Sequence, residues 1–268
     1  MPMLEIRDLS KTFVVAQGGI VQALTPTTLE FPEGRFTSII GPSGCGKSTL
    51  FNLIAGLSSP TTGVILIDGE DVTAQAGIVS YMLQKDLLLP WRSILGNVIL
   101  GMEVSGIPKS QSVPKAMDLM QRYGLGDFAH CRPTQLSGGM RQRAALIRTL
   151  LYDRDVVLLD EPFGALDAQT RVTMQAWLLR VWQEMNKTIL FVTHDIDEAI
   201  FLSDRIVVMS ARPGRVKTVL EVALPRPRDR HVFTDREFVR LKGYLLDLLA
   251  EESPDTEDIQ PAMMTASA

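Results

Sequence analysis

Residues 41–49 read Gly-Pro-Ser-Gly-Cys-Gly-Lys-Ser-Thr, the spacing of a loop that cradles phosphate. A polyphosphate carries several negative charges and needs donors that approach closely. Gly41, Gly44 and Gly46 lack Cβ atoms, so their backbone N–H groups can turn inward as an anion nest. Lys47 adds a point positive charge for the outer phosphates. Ser48 offers a hydroxyl to Mg²⁺, and Thr49 is placed to bond a phosphate oxygen. The helix that must begin here adds the positive end of its dipole.

A second charged pair stands where hydrophobicity alone would not put it. Val156, Val157, Leu158 and Leu159 form an apolar run that ends in Asp160 and Glu161. At the C-terminal end of a parallel strand beside the phosphate loop, Asp160 can hold a Mg²⁺ shell through water. Glu161, one residue further, can reach a water in line with the terminal phosphate and act as a general base. His194 likewise ends a run of Ile189, Leu190, Phe191 and Val192, which points to a phosphate contact rather than a structural histidine. A second glycine-rich stretch, Leu-Ser-Gly-Gly-Met at 136–140, precedes a helical pattern. Ser137, Gly138 and Gly139 then lie at a helix N-terminus, which caps the helix and binds anions with the same N–H groups.

These residues need strands and helices to hold them. Segments 4–15 and 20–31 alternate like strands around a hairpin signal at Gln17-Gly18-Gly19. Buried-strand runs at 35–40, 155–162, 188–194 and 205–211 alternate with helical patterns at 49–57, about 167–186, and a short one after His194. Segments 63–72 and 77–83 read as further strands. Segments 93–106 and 113–124 carry apolar residues at helical spacing. The expectation is an α/β layered core with a parallel sheet, an N-terminal antiparallel β subdomain and an inserted α-helical lobe at about 87–153. This unit spans 1–230, a C-terminal helical extension covers 231–252, and the acidic, then small and polar, stretch 253–268 reads as a disordered tail.

Composition sets the outer bounds. The chain has 268 residues, 46% hydrophobic and 22% charged, which is ordinary for a soluble globular protein. A formal net charge of −4 argues against a nucleic-acid surface spread over the chain. Cys45 and Cys131 have no metal-ligand spacing and read as reduced thiols of a cytoplasmic protein. No apolar run reaches the length of a membrane span, and the N-terminus lacks a signal-peptide pattern.

Taken in order, the motifs resemble those of the ATP-binding-cassette (ABC) transporter ATPases over roughly residues 3–225. GPSGCGKST is similar to the Walker A loop of a P-loop NTPase, so Gly41, Pro42, Ser43, Gly44, Cys45, Gly46, Lys47, Ser48 and Thr49 are expected at ATP. Gln84 matches the Q-loop glutamine, a Mg²⁺ or water ligand and the hinge to the helical lobe. LSGGM matches the family signature, with Met140 where glutamine is more common. VVLLDEP resembles Walker B, GALDAQTR places Asp167 in the D-loop, and His194 matches the switch histidine. Phe13 stands where the family has a tyrosine stacked on adenine; a core aromatic is its competing reading. Arg141 and Arg143, just after the signature, read as helix-surface charges.

The resemblance implies a head-to-tail dimer, with ATP held between the P-loop of one subunit and Ser137 to Gly139 of the other. It implies an integral-membrane permease docked near Leu87, Leu88, Leu89, Pro90 and Trp91, a separate solute-binding protein, and a place at the cytoplasmic face of the membrane. Leu-Pro-Trp-Arg followed by Asn97-Val98 is similar to importers of the nitrate, sulfonate and taurine type, a group that includes carriers of thiamine pyrimidine precursors. A soluble ATPase of the same superfamily in DNA repair or translation stays open as an alternative. An intact Glu161 and His194 disfavour a nucleotide sensor that does not hydrolyse.

Overall fold

The computed structural model describes residues 2–14 and 19–251. Residues Gln17 and Gly18 of the hairpin signal, and the tail 253–268, lie outside the described residues. Two long strands, β1 (Pro2–Val14) and β2 (Ile20–Pro32), pair antiparallel. After them come β3 (Phe36–Ile40), α1 (Lys47–Ile54), β4 (Thr62–Ile67), β5 (Glu70–Asp71) and β6 (Ser80–Met82). Four helices follow: α2 (Ile94–Val98), α3 (Leu100–Val104), α4 (Lys109–Arg122) and α5 (Gly138–Leu151). The chain then alternates through β7 (Val156–Asp160), α6 (Ala168–Met185), β8 (Thr188–Val192), α7 (Ile196–Leu202) and β9 (Arg205–Met209). It closes with β10 (Val216–Glu221) and α8 (Arg236–Ala250).

The larger sheet has the order β10-β9-β3-β8-β7-β6, parallel except for β10 at one edge. Every residue of β3, β7 and β8 is buried, which is why these strands read as unbroken apolar runs rather than alternating ones. Alternate side chains still part to opposite faces. Val157, Leu159, Ile189 and Phe191 join a core shared with α2–α8, while Val156, Leu158, Leu190 and Val192 join a second core with α1 and the smaller β2-β1-β4-β5 sheet. Both layers are thus pinned through one central sheet.

The structure refines several sequence readings. The run 63–72 is a hairpin, because Asp68 and Gly69 adopt φ of 51° and 82°, the pair of positive values a tight two-residue turn requires. Only Ser80–Met82 of 77–83 is strand. The helical run 93–106 is two short helices that break at Ile99, and α4 starts at Lys109, earlier than its apolar spacing suggests. Strand β10 had no counterpart in the sequence reading; its residues are mostly half-buried at a sheet edge, so its pattern is weak. The reading of a helix from Asp167 to Asn186 meets α6 at both caps. The Asp167 carboxylate accepts from Thr170 N–H at 3.0 Å, and Asn186 turns left-handed at φ 49°.

Candidate functional site

Parallel strands β3, β8 and β7 end at one edge of the sheet, and the polar residues follow at those ends. Gly41 leaves β3, Thr193 and His194 leave β8, and Asp160 closes β7 with Glu161 just after it. Strand β8 lies between the other two, so His194 emerges between the phosphate loop and the carboxylate pair.

The loop 41–46 can only be built with glycine at key places. A Cβ on Gly41 would lie 2.7 Å from the Met209 carbonyl oxygen, and Gly46 holds φ 101°. Gly46 gives α1 no side-chain cap, so the first N–H groups of that helix stay open for an anion. Lys47, only 8% exposed, donates from Nζ to the carbonyls of Gly41 at 2.8 Å and Pro42 at 2.9 Å. Its ammonium is therefore held against the loop. Cys45 is wholly buried, with Sγ 3.6 Å from Lys47 Nζ. It contributes loop backbone and packing rather than cleft wall. Ser43, Gly44, Gly46, Lys47, Ser48 and Thr49 line an open cleft of about 310 Å³ together with Gln84, Glu161 and His194.

Asp160 is 4% exposed and lies beside the Ser48 and Tyr81 side chains. Burial pushes its carboxyl above the usual range; the Ser48 hydrogen bond opposes that rise, and the neighbouring Glu161 charge adds to it. Burial and the nearby Asp160 likewise push the Tyr81 phenol up. Glu161 holds φ 47°, a conformation that costs an ordinary residue about 1–3 kcal/mol. Its N–H donates to the Val192 carbonyl at 2.9 Å, which fixes it against β8. Its side chain accepts from Gln84 Nε2 at 3.1 Å, and its other oxygen lies 3.4 Å from His194 Nδ1. Ser48, Gln84 and Asp160 present a hydroxyl, an amide and a carboxylate. Their oxygens suit Mg²⁺, which is commonly bound through one carboxylate, water and substrate phosphates. Among the described residues no three His, Cys, Asp or Glu side chains cluster as a metal site.

Ser137, Gly138, Gly139 and Asp167 do not line this cleft. Ser137 Oγ accepts from Met140 N–H at 3.3 Å and Gly138 opens α5, so this capped helix start is exposed at the surface. Phe13 is 42% exposed, with Lys11 Nζ 5.0 Å from its ring centre, which removes the core-aromatic reading. Arg141 and Arg143 are not free surface charges. Arg141 bonds Asp86 at 3.0 Å, and Arg143 donates to the Tyr123 carbonyl at 3.0 Å. Arg148 adds bonds to the carbonyls of Asp86 and Leu87 at 2.7 and 2.9 Å. Segment 86–87 is thereby tied to α5. Past it, Leu88 is buried while Leu87 and Trp91 are exposed, and Trp91 borders a cleft of about 500 Å³ with Arg92, Leu95, His130 and Arg132.

Sequence reading missed the support of the His194 loop. Buried Glu198 accepts from Thr193 Oγ1 at 2.6 Å and Gln175 Nε2 at 2.8 Å, and Thr193 Oγ1 accepts from Asp195 N–H at 3.0 Å. The signal was present as Asp195-x-x-Glu198, an N-terminal capping pattern before an apolar run. Tyr81 carried no such signal.

The sequence matches the ABC transporter family profile (ABC_tran) over residues 24–164. It is 46% identical over 249 residues to an uncharacterized ABC transporter ATP-binding protein of Methanocaldococcus jannaschii, covering 93% of this chain and 92% of that protein. It is 43% identical to the aliphatic sulfonates import ATP-binding protein SsuB of Bacillus cereus, covering 85% and 89% of the two chains. The taurine import ATP-binding protein TauB of Rhizobium johnstonii is 43% identical, with 80% and 82% covered. Among solved structures, a dimeric post-hydrolysis ATP-binding cassette, MJ0796 bound to ADP and Pi, superposes with a TM-score of 0.73 at 30% identity. It covers 83% of this chain and all of that one.

Proposed function

Because the chain belongs to the ABC transporter family, we propose that it is the ATP-hydrolysing subunit of an importer, closing as a dimer on ATP to power uptake of a small sulfonate-type solute such as taurine. The observation that carries this reading is a division within the chain. The phosphate loop, Gln84, Glu161 and His194 share one cleft, while Ser137 to Gly139 form a second anion-binding helix start away from it. A second copy, placed head to tail, brings the two together. The dimeric cassette to which this chain is similar supports that arrangement.

In this reading the loop N–H groups and Lys47 hold the phosphates, and Phe13 stacks on the adenine. Ser48 and Gln84 would hold Mg²⁺, with Asp160 acting through water; the ion neutralises phosphate charge when bound. Glu161 takes the proton of the attacking water, and His194 lies beside it to contact the terminal phosphate. The D-loop residue Asp167 keeps its helix start in shape next to the partner.

The exposed Leu87 and Trp91 and the adjoining cleft form the surface for an integral-membrane permease. The relatives named as importers favour a place at the cytoplasmic face beside that permease; no helix among the described residues is long and apolar enough to cross a membrane. A separate solute-binding protein supplies the cargo. The relatives named as importers favour transport over a role in DNA repair or translation. The test is reconstitution of this subunit with its neighbouring permease and solute-binding protein in vesicles. ATP-dependent accumulation of labelled taurine or an alkanesulfonate is expected, and ATP hydrolysis without permease association or uptake would remove the transport reading.

A further inference from the structure

The turn between β9 and β10 reaches back to the phosphate loop. Ser210 N–H donates to the Arg215 carbonyl at 3.0 Å, which closes the turn. Gly214 N–H donates to the Ala23 carbonyl at 3.1 Å, and the Gly214 carbonyl accepts from Thr25 N–H at 2.9 Å and Thr25 Oγ1 at 3.1 Å. The same glycine passes so close to the phosphate loop that a Cβ there would lie 2.0 Å from the Cys45 carbonyl oxygen. The turn is thus clamped to β2 and stacked on the loop at one residue. Two positions earlier stands Arg212. It lines the same 310 Å³ cleft as Ser43, Gly44 and Lys47, and one of its terminal nitrogens lies 3.8 Å from where a Gly44 Cβ would sit. Among the described residues no hydrogen bond or ion pair engages its guanidinium.

Charge makes this placement meaningful. Asp160 and Glu161 put two carboxylates at the strand ends, and Lys47 already spends its donors on loop carbonyls. A polyphosphate entering the cleft needs further cations, and a guanidinium matches phosphate oxygens with a planar fork of donors. We propose that Arg212 is a second nucleotide-binding cation, closing over the phosphate loop at Gly44 onto the polyphosphate of ATP. This rests on the assignment of 41–49 as the ATP loop and adds a residue from the far end of the chain to it. Arg212 acts on the binding of the polyphosphate as a whole, so its loss weakens ATP affinity rather than the chemical step.

The test compares wild type, Arg212→Ala, Arg212→Lys and Lys47→Ala in ATP titrations of hydrolysis and in direct binding of ATP, at low and high salt. Arg212→Ala is expected to raise KM for ATP about ten-fold with kcat held within about two-fold, because one charge-assisted contact is lost. Arg212→Lys should recover part of the affinity. The wild-type KM should climb more steeply with salt than that of Arg212→Ala, a difference that a purely structural role would not produce. An Arg212→Ala KM equal to wild type, or identical salt slopes, overturns the inference about Arg212. If Lys47→Ala also binds ATP like wild type, the phosphate-loop assignment itself has failed, which is a separate result.

Discussion

Gln84 and Glu161 are 77 residues apart in sequence, yet the Gln84 amide donates to the Glu161 carboxylate at 3.1 Å across the cleft. A residue just past β7 and a residue just past β6 therefore share one bond, and His194 approaches the other oxygen of the same carboxylate.

Glu161→Gln keeps size and hydrogen bonding but removes the base. ATP binding should persist, since the phosphate loop, Ser48 and Asp160 are untouched. Hydrolysis should fall about 10²–10⁴-fold. Phosphate release measures the rate, and size-exclusion chromatography with ATP and Mg²⁺ should show the variant collecting as a dimer. Hydrolysis at the wild-type rate would show that Glu161 is not the base.

Glu198 predicts a pH effect on stability. Burial holds its carboxyl above the usual 4.5, against hydrogen bonds from Thr193 and Gln175; Asp195 adds to the rise and Arg171 opposes it. The folded protein then keeps a proton that the unfolded chain has lost, so this contribution is full below pH 4.5 and is lost as pH rises through the folded value. Glu198→Gln lacks this titration. Urea unfolding at rising pH should show wild type losing ground to the variant above pH 4.5 and levelling off once the folded value is passed. Parallel curves would mean that Glu198 is not held protonated by its surroundings.

Gly214→Ala puts a Cβ where the Cys45 carbonyl oxygen already stands. Overpacking of this kind costs about 1–3 kcal/mol, and the strain falls on the phosphate loop. A lower denaturant midpoint and weaker ATP binding are expected together. A variant matching wild type in both would show that the two loops part without cost.

Trp91→Ala removes an indole that is 70% exposed, so the melting temperature should change little. Association with the permease should weaken, because an exposed aromatic beside a cleft is the kind of anchor that carries interface energy. Copurification from membranes measures this. Undiminished association and uptake would assign the cleft no docking role.

The grouping of the phosphate loop, Glu161 and His194 in one cleft was legible because its signals are local. Glycines mark the tight loop, and a buried apolar run that ends in Asp160-Glu161 or in His194 announces a strand end with work to do. The helical pattern of about 167–186 gave both limits of α6, where the structure finds Asp167 and Asn186 as its caps. What stayed hidden depends on contacts between distant segments. Arg141 and Arg148 look like solvated charges until Asp86 and Leu87 are folded against them. The half-buried residues of β10 give no periodicity. Arg212 joins the cleft only because Gly214 crosses Cys45, a meeting no spacing encodes.

The tie between segment 86–87 and α5 leaves little slack. Gln84 is bonded to the core and Asp86 to the helical lobe, so Lys85 alone separates the two anchorages. A push delivered near Trp91 cannot dissipate in a floppy connector. It either swings the lobe as a rigid arm or tugs Gln84 off Glu161. The chain therefore has a short linkage through which the Glu161 carboxylate, by way of one amide, is tied to the position of segment 86–91.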